Sequence, residues 1–160
     1  MYAWIVRFLG IDYGRRRIGL ALSDATGTLA RPWKTIARQG NPSQVAALIT
    51  ALVTDLRTES DGLDGIVVGF PRALSGEATD STAAVTSLVS AMRTRVTIPI
   101  VLQDERLSSR EAESRLALRI KNWRDRKPLL DAAAAAVILQ DYLDMRTVPP
   151  SIDPLEDHQP

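Results

Sequence analysis

The sequence lacks cysteine, and its 160 residues include only one histidine. Without cysteine there can be no disulfide framework, thiolate zinc site, iron–sulfur cluster or cysteine nucleophile. The histidine, His158, lies near the C-terminus in a segment broken by prolines. That is a poor position for the oriented imidazole of a Ser-His-Asp triad or a metal site. Any chemistry must therefore rest on carboxylates, hydroxyls, Lys and Arg side chains and backbone groups.

Long hydrophobic runs are lacking as well. No window approaches the roughly 20 apolar residues of a membrane span. Residues 1–9 contain Arg7 and do not have the cationic start, long apolar core and cleavage site of a signal peptide. The composition, 45% hydrophobic and 24% charged, is ordinary for a soluble globular domain. With the absence of cysteine, these features predict a cytoplasmic protein without a membrane partner.

The order of apolar patterns predicts an α/β domain over residues 1–148. Three extended segments come first and suggest an antiparallel meander, and two short, fully apolar runs are typical of buried parallel strands. Helical patterns alternate with these runs and continue after them. We therefore expect a mixed five-stranded sheet with helices on both faces. The predicted strands are Ile5–Ile11, Ile18–Ser23, Thr28–Ala37, Ile66–Val68 and Ile98–Leu102.

Four helices are predicted from apolar spacing and capping signals. Asn41 followed by Pro42 is a helix start, and Ser108 with Glu111 forms a capping box. Residues 149–160 are rich in proline and acidic side chains, so we expect this tail to be disordered. The predicted helices begin at Pro42, span Ala78–Met92 and Ser108–Ile120, and run from Leu129 to about Met145.

Acidic residues from distant parts of the sequence fall near one end of the predicted sheet. Asp12 follows the first strand, Asp104 and Glu105 follow the fifth, and Asp131 lies in the first turn of the last helix. The alanines after Asp131 would let that helix lie close against the sheet. Ligands in such sheets bind at the carboxyl ends of the strands. Two or three carboxylates suffice for Mg²⁺, which keeps several waters.

Each acid also has a plain structural interpretation. An Asp before Gly often forms a turn, and an Asp at a helix N-terminus is often a cap that suits the helix dipole. Glu105 and Arg106 could form a surface ion pair. Isolated structural roles do not require all of these acids to share one edge, and this convergence favours a metal site.

Glycines and basic residues surround the acids in the predicted fold. Gly14 follows Asp12 closely and Gly69 ends the fourth strand, where backbone N–H groups could approach phosphate. Arg16 and Arg17 lie beside Asp12, and Lys127 belongs to a second basic stretch, residues 115–127. Such a distribution suits a phosphate-backbone ligand, although a solvated helix face would explain any single arginine equally well.

Four segments together resemble the YqgF family, the Holliday-junction-resolvase-like proteins described as candidate pre-16S rRNA nucleases. Any one segment is a weak signal, but four in this order at these separations are highly specific. Two small departures are Phe70, where the family commonly has Leu, and Ser109, where it commonly has Thr. The resemblance spans roughly Phe8 to Leu143. Its segments are Leu9–Ala21, Val67–Gly76, Asp104–Ala112 and Leu130–Gln140.

The resemblance implies a ribonuclease H-like fold with catalytic carboxylates at Asp12, Glu105 and Asp131. The wider resolvase relatives place an acid at the end of the fourth strand, where this chain has Gly69-Phe70-Pro71. The metal site would therefore draw on Asp104 or Glu105, two strands from Asp12 and about 10 Å away between backbones.

These observations lead to one main hypothesis and two alternatives. The main hypothesis is a hydrolase that uses Mg²⁺ or Mn²⁺ to cut phosphodiester bonds at the 5′ end of pre-16S ribosomal RNA, free or in a pre-ribosomal particle. Asp12, Glu105 and Asp131 would hold the metal, with Asp104 as the alternate ligand, and Arg16, Arg17 and Arg106 would hold phosphates. The alternatives are a resolvase-like nuclease for branched DNA and a non-catalytic nucleic-acid-binding module. The sequence leaves the oligomeric state open.

Overall fold

The computed structural model describes residues 6–71, 80–104 and 123–147. Five strands form one sheet in the order β3-β2-β1-β4-β5. The first three pair antiparallel, β4 is parallel to β1, and β5 is parallel to β4. The predicted fold class is confirmed, including its three-stranded meander and two parallel strands. The strands are β1 (Phe8–Tyr13), β2 (Arg17–Ser23), β3 (Ala30–Ala37), β4 (Gly65–Phe70) and β5 (Ile100–Asp104).

Three described helices cover the two faces of the sheet. They are α1 (Pro42–Thr58), α2 (Asp80–Arg93) and α3 (Trp123–Thr147). Asn41 caps α1 through a capping box with Gln44. Helices α1 and α2 pack on one face, called here the α1 face, against strand residues such as Leu9 and Ile11. Helix α3 packs on the other, the α3 face, against residues such as Phe8 and Val67.

Helix α3 lies unusually close to the sheet because glycine faces it. A Cβ atom on Gly10 would lie 2.8 Å from the Cβ of Leu139 and 3.0 Å from the carbonyl oxygen of Ala135. The expectation that the alanine stretch permits close packing is confirmed. Gln140 fixes the helix further, because it accepts a hydrogen bond from the Ala30 N–H and donates one to the Thr28 carbonyl, each 2.9 Å long.

Several element bounds differ from the sequence prediction. Strand β1 continues through Tyr13 because its last residues pair with β2, so Asp12 lies within the strand. Strand β5 is displaced two residues towards Asp104 because it pairs in register with β4 as far as Phe70. Helix α3 begins at Trp123 and passes through Pro128, a residue that commonly marks a helix start. The prediction that Asp131 lies in the first turn of this helix is therefore wrong, since Asp131 is eight residues beyond Trp123.

Other sequence predictions concern parts of the chain outside the described residues. These are the helix Ser108–Ile120, the tail 149–160, and the upper bound of the domain at residue 148. Within the described ranges, no helix combines the length and apolarity needed to cross a bilayer.

Arg7 joins the start of β1 to the end of α1. Its side chain is buried, and its guanidinium donates to the Gly62 carbonyl at 2.7 Å, to the Leu56 carbonyl at 3.2 Å and to Glu59 at 2.9 Å. Two of these acceptors are backbone carbonyls at or just beyond the C-terminal end of α1, and the Leu56 carbonyl also accepts from the Glu59 N–H at 3.2 Å. The charge that interrupts the first apolar segment therefore closes the end of a helix.

Candidate active site

Asp12 lies near the carboxyl end of β1, on the face covered by α3. Side chains alternate along a strand, and Leu9, Ile11 and Tyr13 belong to the core under α1 and α2. Phe8 packs under α3 instead. Asp12 therefore points to the same side as Phe8, towards α3, and it is only partly buried.

Gly19 brings Asp131 to Asp12. Gly19 is the cross-strand partner of Asp12, and directly opposed residues have Cβ positions only about 5 Å apart on the same face. A Cβ on Gly19 would overlap the carbonyl oxygen of Asp131 and lie 2.9 Å from the Ala132 nitrogen. The backbone of α3 thus occupies the space that a side chain would fill, and Asp131 lies beside Asp12.

Arg17 forms an ion pair with Asp131. Its Nε lies 2.9 Å from Asp131 Oδ2, and the two side chains are 44% and 25% exposed. That oxygen is buried and accepts no hydrogen bond in the part of the chain that the structure describes. The contact is therefore a charge interaction without the alignment of a hydrogen bond. The lone pairs of Oδ2 remain available to a further electropositive partner.

The turn between β1 and β2 is held rigidly beside these acids. The Gly14 N–H donates to the Arg17 carbonyl at 3.0 Å, and the Gly14 carbonyl accepts from the Arg38 guanidinium at 3.1 Å. Arg38 also lies 4.0 Å above the ring of Tyr13. Arg16 is exposed in this turn. The predicted phosphate-binding residues Gly14, Arg16 and Arg17 thus lie together next to Asp12.

Asp104 lies on the opposite face of the sheet from Asp12. It pairs with Phe70, which packs against the core under α1 and α2. Its neighbour Gln103 lies on the α3 face, where its amide contacts Met145 Sδ at 3.6 Å. The structure therefore brings Asp12 and Asp131 together and places Asp104 away from them. Glu105, Arg106 and the side chain of Lys127 lie outside the described residues.

Gly69 contributes no side chain between Asp12 and Gln103. It pairs with Gln103 in β5 and follows the pair formed by Ile11 and Val68. It therefore lies in the same row across the sheet as Gly19 and Asp12. Within this row Asp12 is flanked by glycine on both sides. Helix α3 fills the space above one of them, and the other, Gly69, adds no side chain beside the carboxylate.

The described residues alone do not complete a metal site. Across residues 6–71, 80–104 and 123–147, no three Asp, Glu or His side chains are grouped closely enough to hold a metal ion. Carboxylate oxygens are the ligands that a hard cation prefers. The buried Oδ2 of Asp131 lacks a hydrogen bond among the described residues, and the Asp131 backbone packs on Gly19, the cross-strand partner of Asp12.

The sheet order, with one helix layer on each face, is that of the ribonuclease H-like fold. Solved structures share this fold. The structure described as T. thermophilus RuvC in complex with Holliday junction substrate has a TM-score of 0.51 and 16% identity, covering 88% of this chain and 95% of that one. The human cytomegalovirus terminase nuclease domain has a TM-score of 0.52 and 11% identity, covering 89% of this chain and 85% of that one.

The chain belongs to the RuvX family, described as Holliday junction resolvase, whose model matches residues 6–145. Curated relatives carry the name "Putative pre-16S rRNA nuclease". One from Leifsonia xyli subsp. xyli is 45% identical over 136 residues, which is 85% of this chain and 84% of the relative. Another from Anaeromyxobacter dehalogenans is 40% identical over 141 residues, 88% of this chain and 98% of the relative. The resemblance seen in the sequence is confirmed.

The contacts of Arg17 and Gln103 were missed by the sequence interpretation. Arg17 was predicted to hold phosphate, and its ion pair with Asp131 joins residues too far apart in the chain for any local pattern to show. The position of Gln103 on the α3 face could have been predicted from the sequence. Alternation along the fifth strand assigns Gln103 and Asp104 to opposite faces, and would have separated Asp104 from Asp12.

Proposed function

We propose that this chain is a divalent-metal-dependent nuclease that acts at the 5′ end of pre-16S ribosomal RNA. The observation that carries the proposal is the meeting of Asp12 and Asp131 across Gly19, with a buried carboxylate oxygen that accepts no hydrogen bond. The name shared by the relatives supports the choice of substrate. Action on a ribosomal RNA precursor agrees with the cytoplasmic location predicted from the sequence.

Asp12 and Asp131 would hold Mg²⁺ or Mn²⁺ together with Glu105. The family resemblance implies Glu105 in this role, and Asp104 lies on the opposite face of the sheet from Asp12. A metal pair at such carboxylates supplies an activated water and stabilises the leaving oxygen of a phosphodiester.

The arginines of the β1–β2 turn would position the phosphate. Arg17 is 44% exposed and its contact with Asp131 is not aligned as a hydrogen bond, so the pair contributes only about 1 kcal/mol or less. Its guanidinium can therefore turn to a phosphate oxygen at the same edge. Arg16 is exposed beside it and adds positive charge near the carboxylates. Bidentate contacts of this kind fix the orientation of a phosphate group.

Cleavage of a defined RNA tests the proposal. A 16S precursor with 5′ and 3′ extensions would be incubated with the protein and Mn²⁺ or Mg²⁺, and separately with a chelator. We expect metal-dependent removal of the 5′ extension and a loss of at least a hundredfold in rate for Asp12→Asn and Asp131→Asn. Asp61→Asn, at an exposed acid beyond α1, serves as the matched control. Equal cleavage by Asp12→Asn and the wild type would refute the proposal.

A second candidate is a nuclease for branched DNA, which the family description favours. A four-way DNA junction included as a competing substrate would separate the two, because the preferred substrate has the higher kcat/KM. The remaining alternative is a non-catalytic binding module. Tight RNA binding without cleavage under any divalent ion would support it.

A further inference from the structure

One stretch of the chain, from the end of β1 through most of α1, carries nearly all of its charge in one sign. Residues 13–54 contain one acid, Asp24, and six basic side chains. Three of the six lie in the turn beside the candidate active site, and the other three lie on or next to β3, the edge strand. These six are Arg15, Arg16, Arg17, Arg31, Lys34 and Arg38.

Asp24 is committed to its own turn. Its carboxylate accepts hydrogen bonds from the backbone N–H groups of Thr28 at 2.8 Å and Leu29 at 3.2 Å, and from the Thr26 hydroxyl at 2.9 Å. The same carboxylate also attracts Arg31, which helps to lower the pKa of Asp24. A single acid that is held by its own loop therefore offsets only part of the six positive charges.

A β-bulge places the three basic residues of the edge strand on one face. Leu20 pairs with Lys34 and Ala21 pairs with Pro32, so Trp33 is the extra residue. Without the bulge, Arg31 and Lys34 would alternate to opposite faces of the sheet. With it, Arg31, Lys34 and Arg38 follow one another along the α1 face. We call these three residues the β3 strip.

Aromatic rings support two members of the strip. Lys34 Nζ lies 4.2 Å from the centre of the Trp33 ring, and Arg38 is held over Tyr13 and bonded to the Gly14 carbonyl. Arg31 and Lys34 are exposed. Because Lys34 Nζ lies over the Trp33 ring, which is itself partly buried, the strip presents mainly charge.

We infer that the β3 strip binds the phosphate backbone of the nucleic acid substrate beyond the bond that is cut. The inference rests on the proposed nuclease function. The strip covers about 23 Å at 3.3 Å per residue, enough for about seven successive phosphates of a strand. It ends at Arg38, beside the turn that carries Arg16 and Arg17. A helical substrate held at Asp12 and Asp131 would therefore reach the β3 strip at the edge of the sheet, where the α1 face and the α3 face meet. Such contacts position a backbone without reading its sequence.

Salt-dependent binding in the presence of chelator tests the strip separately from catalysis. The double variant Arg31→Gln/Lys34→Gln would be compared with the wild type on a 24-base-pair RNA hairpin and a four-way DNA junction. Loss of two phosphate contacts should reduce the slope of log K against log salt by about 2 and raise Kd about thirtyfold at 0.15 M salt. The charge-matched control is Arg57→Gln/Arg95→Gln, at exposed arginines near the ends of α1 and α2.

The outcomes distinguish the strip from the nuclease proposal. The proposal is supported if the slope of log K against log salt is smaller for the strip variant alone and is restored by Arg31→Lys/Lys34→Arg. This result supports binding by the strip whether or not the wild type cleaves RNA. Equal slopes for the strip variant and the wild type overturn it. Equal losses in the strip variant and its control also overturn it, because net charge alone would then explain binding. An absence of binding by the wild type to both probes overturns it as well. Circular dichroism checks that each variant folds.

Discussion

Gly19→Ala tests the close approach between β2 and α3 on which the candidate site depends. The added Cβ would overlap the backbone of Asp131 and lie 2.9 Å from the nitrogen of Ala132. Main-chain atoms cannot move aside as the end of a flexible side chain can. Helix α3 must therefore shift away from the sheet, and Asp131 with it.

The magnitude follows from two opposing effects. Overpacking typically destabilises a protein by 1–3 kcal/mol. We take about 3 kcal/mol for Gly19→Ala, because the added Cβ meets backbone atoms. Alanine offsets about 0.5–1 kcal/mol of that by reducing the freedom of the unfolded chain. The net loss of about 2 kcal/mol corresponds to a fall in Tm of about 4–8 °C for a chain of this length. A displacement of about 1 Å at Asp131 would reduce cleavage about a hundredfold.

Thermal unfolding and single-turnover RNA cleavage, the latter at a temperature well below Tm, measure the two effects. Gly62→Ala is the control, because its Cβ would meet nothing within 4 Å and only the positive φ of 61° is strained. We expect that control to lower Tm through a cost of about 1–2 kcal/mol and to leave cleavage unchanged. If Gly19→Ala had the Tm and the cleavage rate of the wild type, the inferred contact between α3 and β2 would be wrong.

Two further predictions concern residues outside the site. Arg7→Met should lower the free energy of unfolding by about 3 kcal/mol, because it removes the donor to the Gly62 carbonyl and one of the two donors to the Leu56 carbonyl. Glu59→Gln should lower it by less than about 1 kcal/mol, since Glu59 is 56% exposed. Urea denaturation measures the free energy of unfolding of both variants. Similar losses for Arg7→Met and Glu59→Gln would contradict the stabilising role given to the bonds from Arg7 to backbone carbonyls. For Asp24, burial raises the pKa of the carboxyl, but hydrogen bonds from its turn outweigh it and the pKa lies below its ordinary value. The folded state therefore binds fewer protons, and stability falls as pH drops below about 4. Asp24→Asn should flatten the pH–stability curve below about pH 4. An unchanged curve would contradict the lowered pKa of Asp24.

The alternation of apolar residues and the ends of the apolar runs predicted most of the fold. The apolar runs around Val67 and Val101 contain no polar residue that would indicate a solvent-exposed face. They form the two parallel strands β4 and β5. Their bounds were less predictable, because pairing with a neighbouring strand decides where a strand stops. Pro128 shows the same limit for helices, since α3 continues through a residue that usually marks a first turn.

The candidate site could be predicted in its residue types more readily than in its contacts. Asp12 and Asp131 stand out because each lies at the end of a patterned segment. Nothing in the sequence around Gly19 indicates that the neighbour it admits is helix α3. The pairing of Arg17 with Asp131 and the closure of α1 by Arg7 join residues far apart in the chain. Local patterns contain no information about such distances.

The position of α3 has a consequence for how the protein becomes active during synthesis. Gln140 closes a contact with Ala30 that spans 110 residues, and Asp131 reaches β2 from the same helix. Contacts of such long range form late, because closing the intervening loop costs entropy first. A growing chain with its first four strands complete would still lack the second carboxylate. Cleavage activity would thus appear only after the last helix has left the ribosome and docked, so an unfinished chain could not cut RNA.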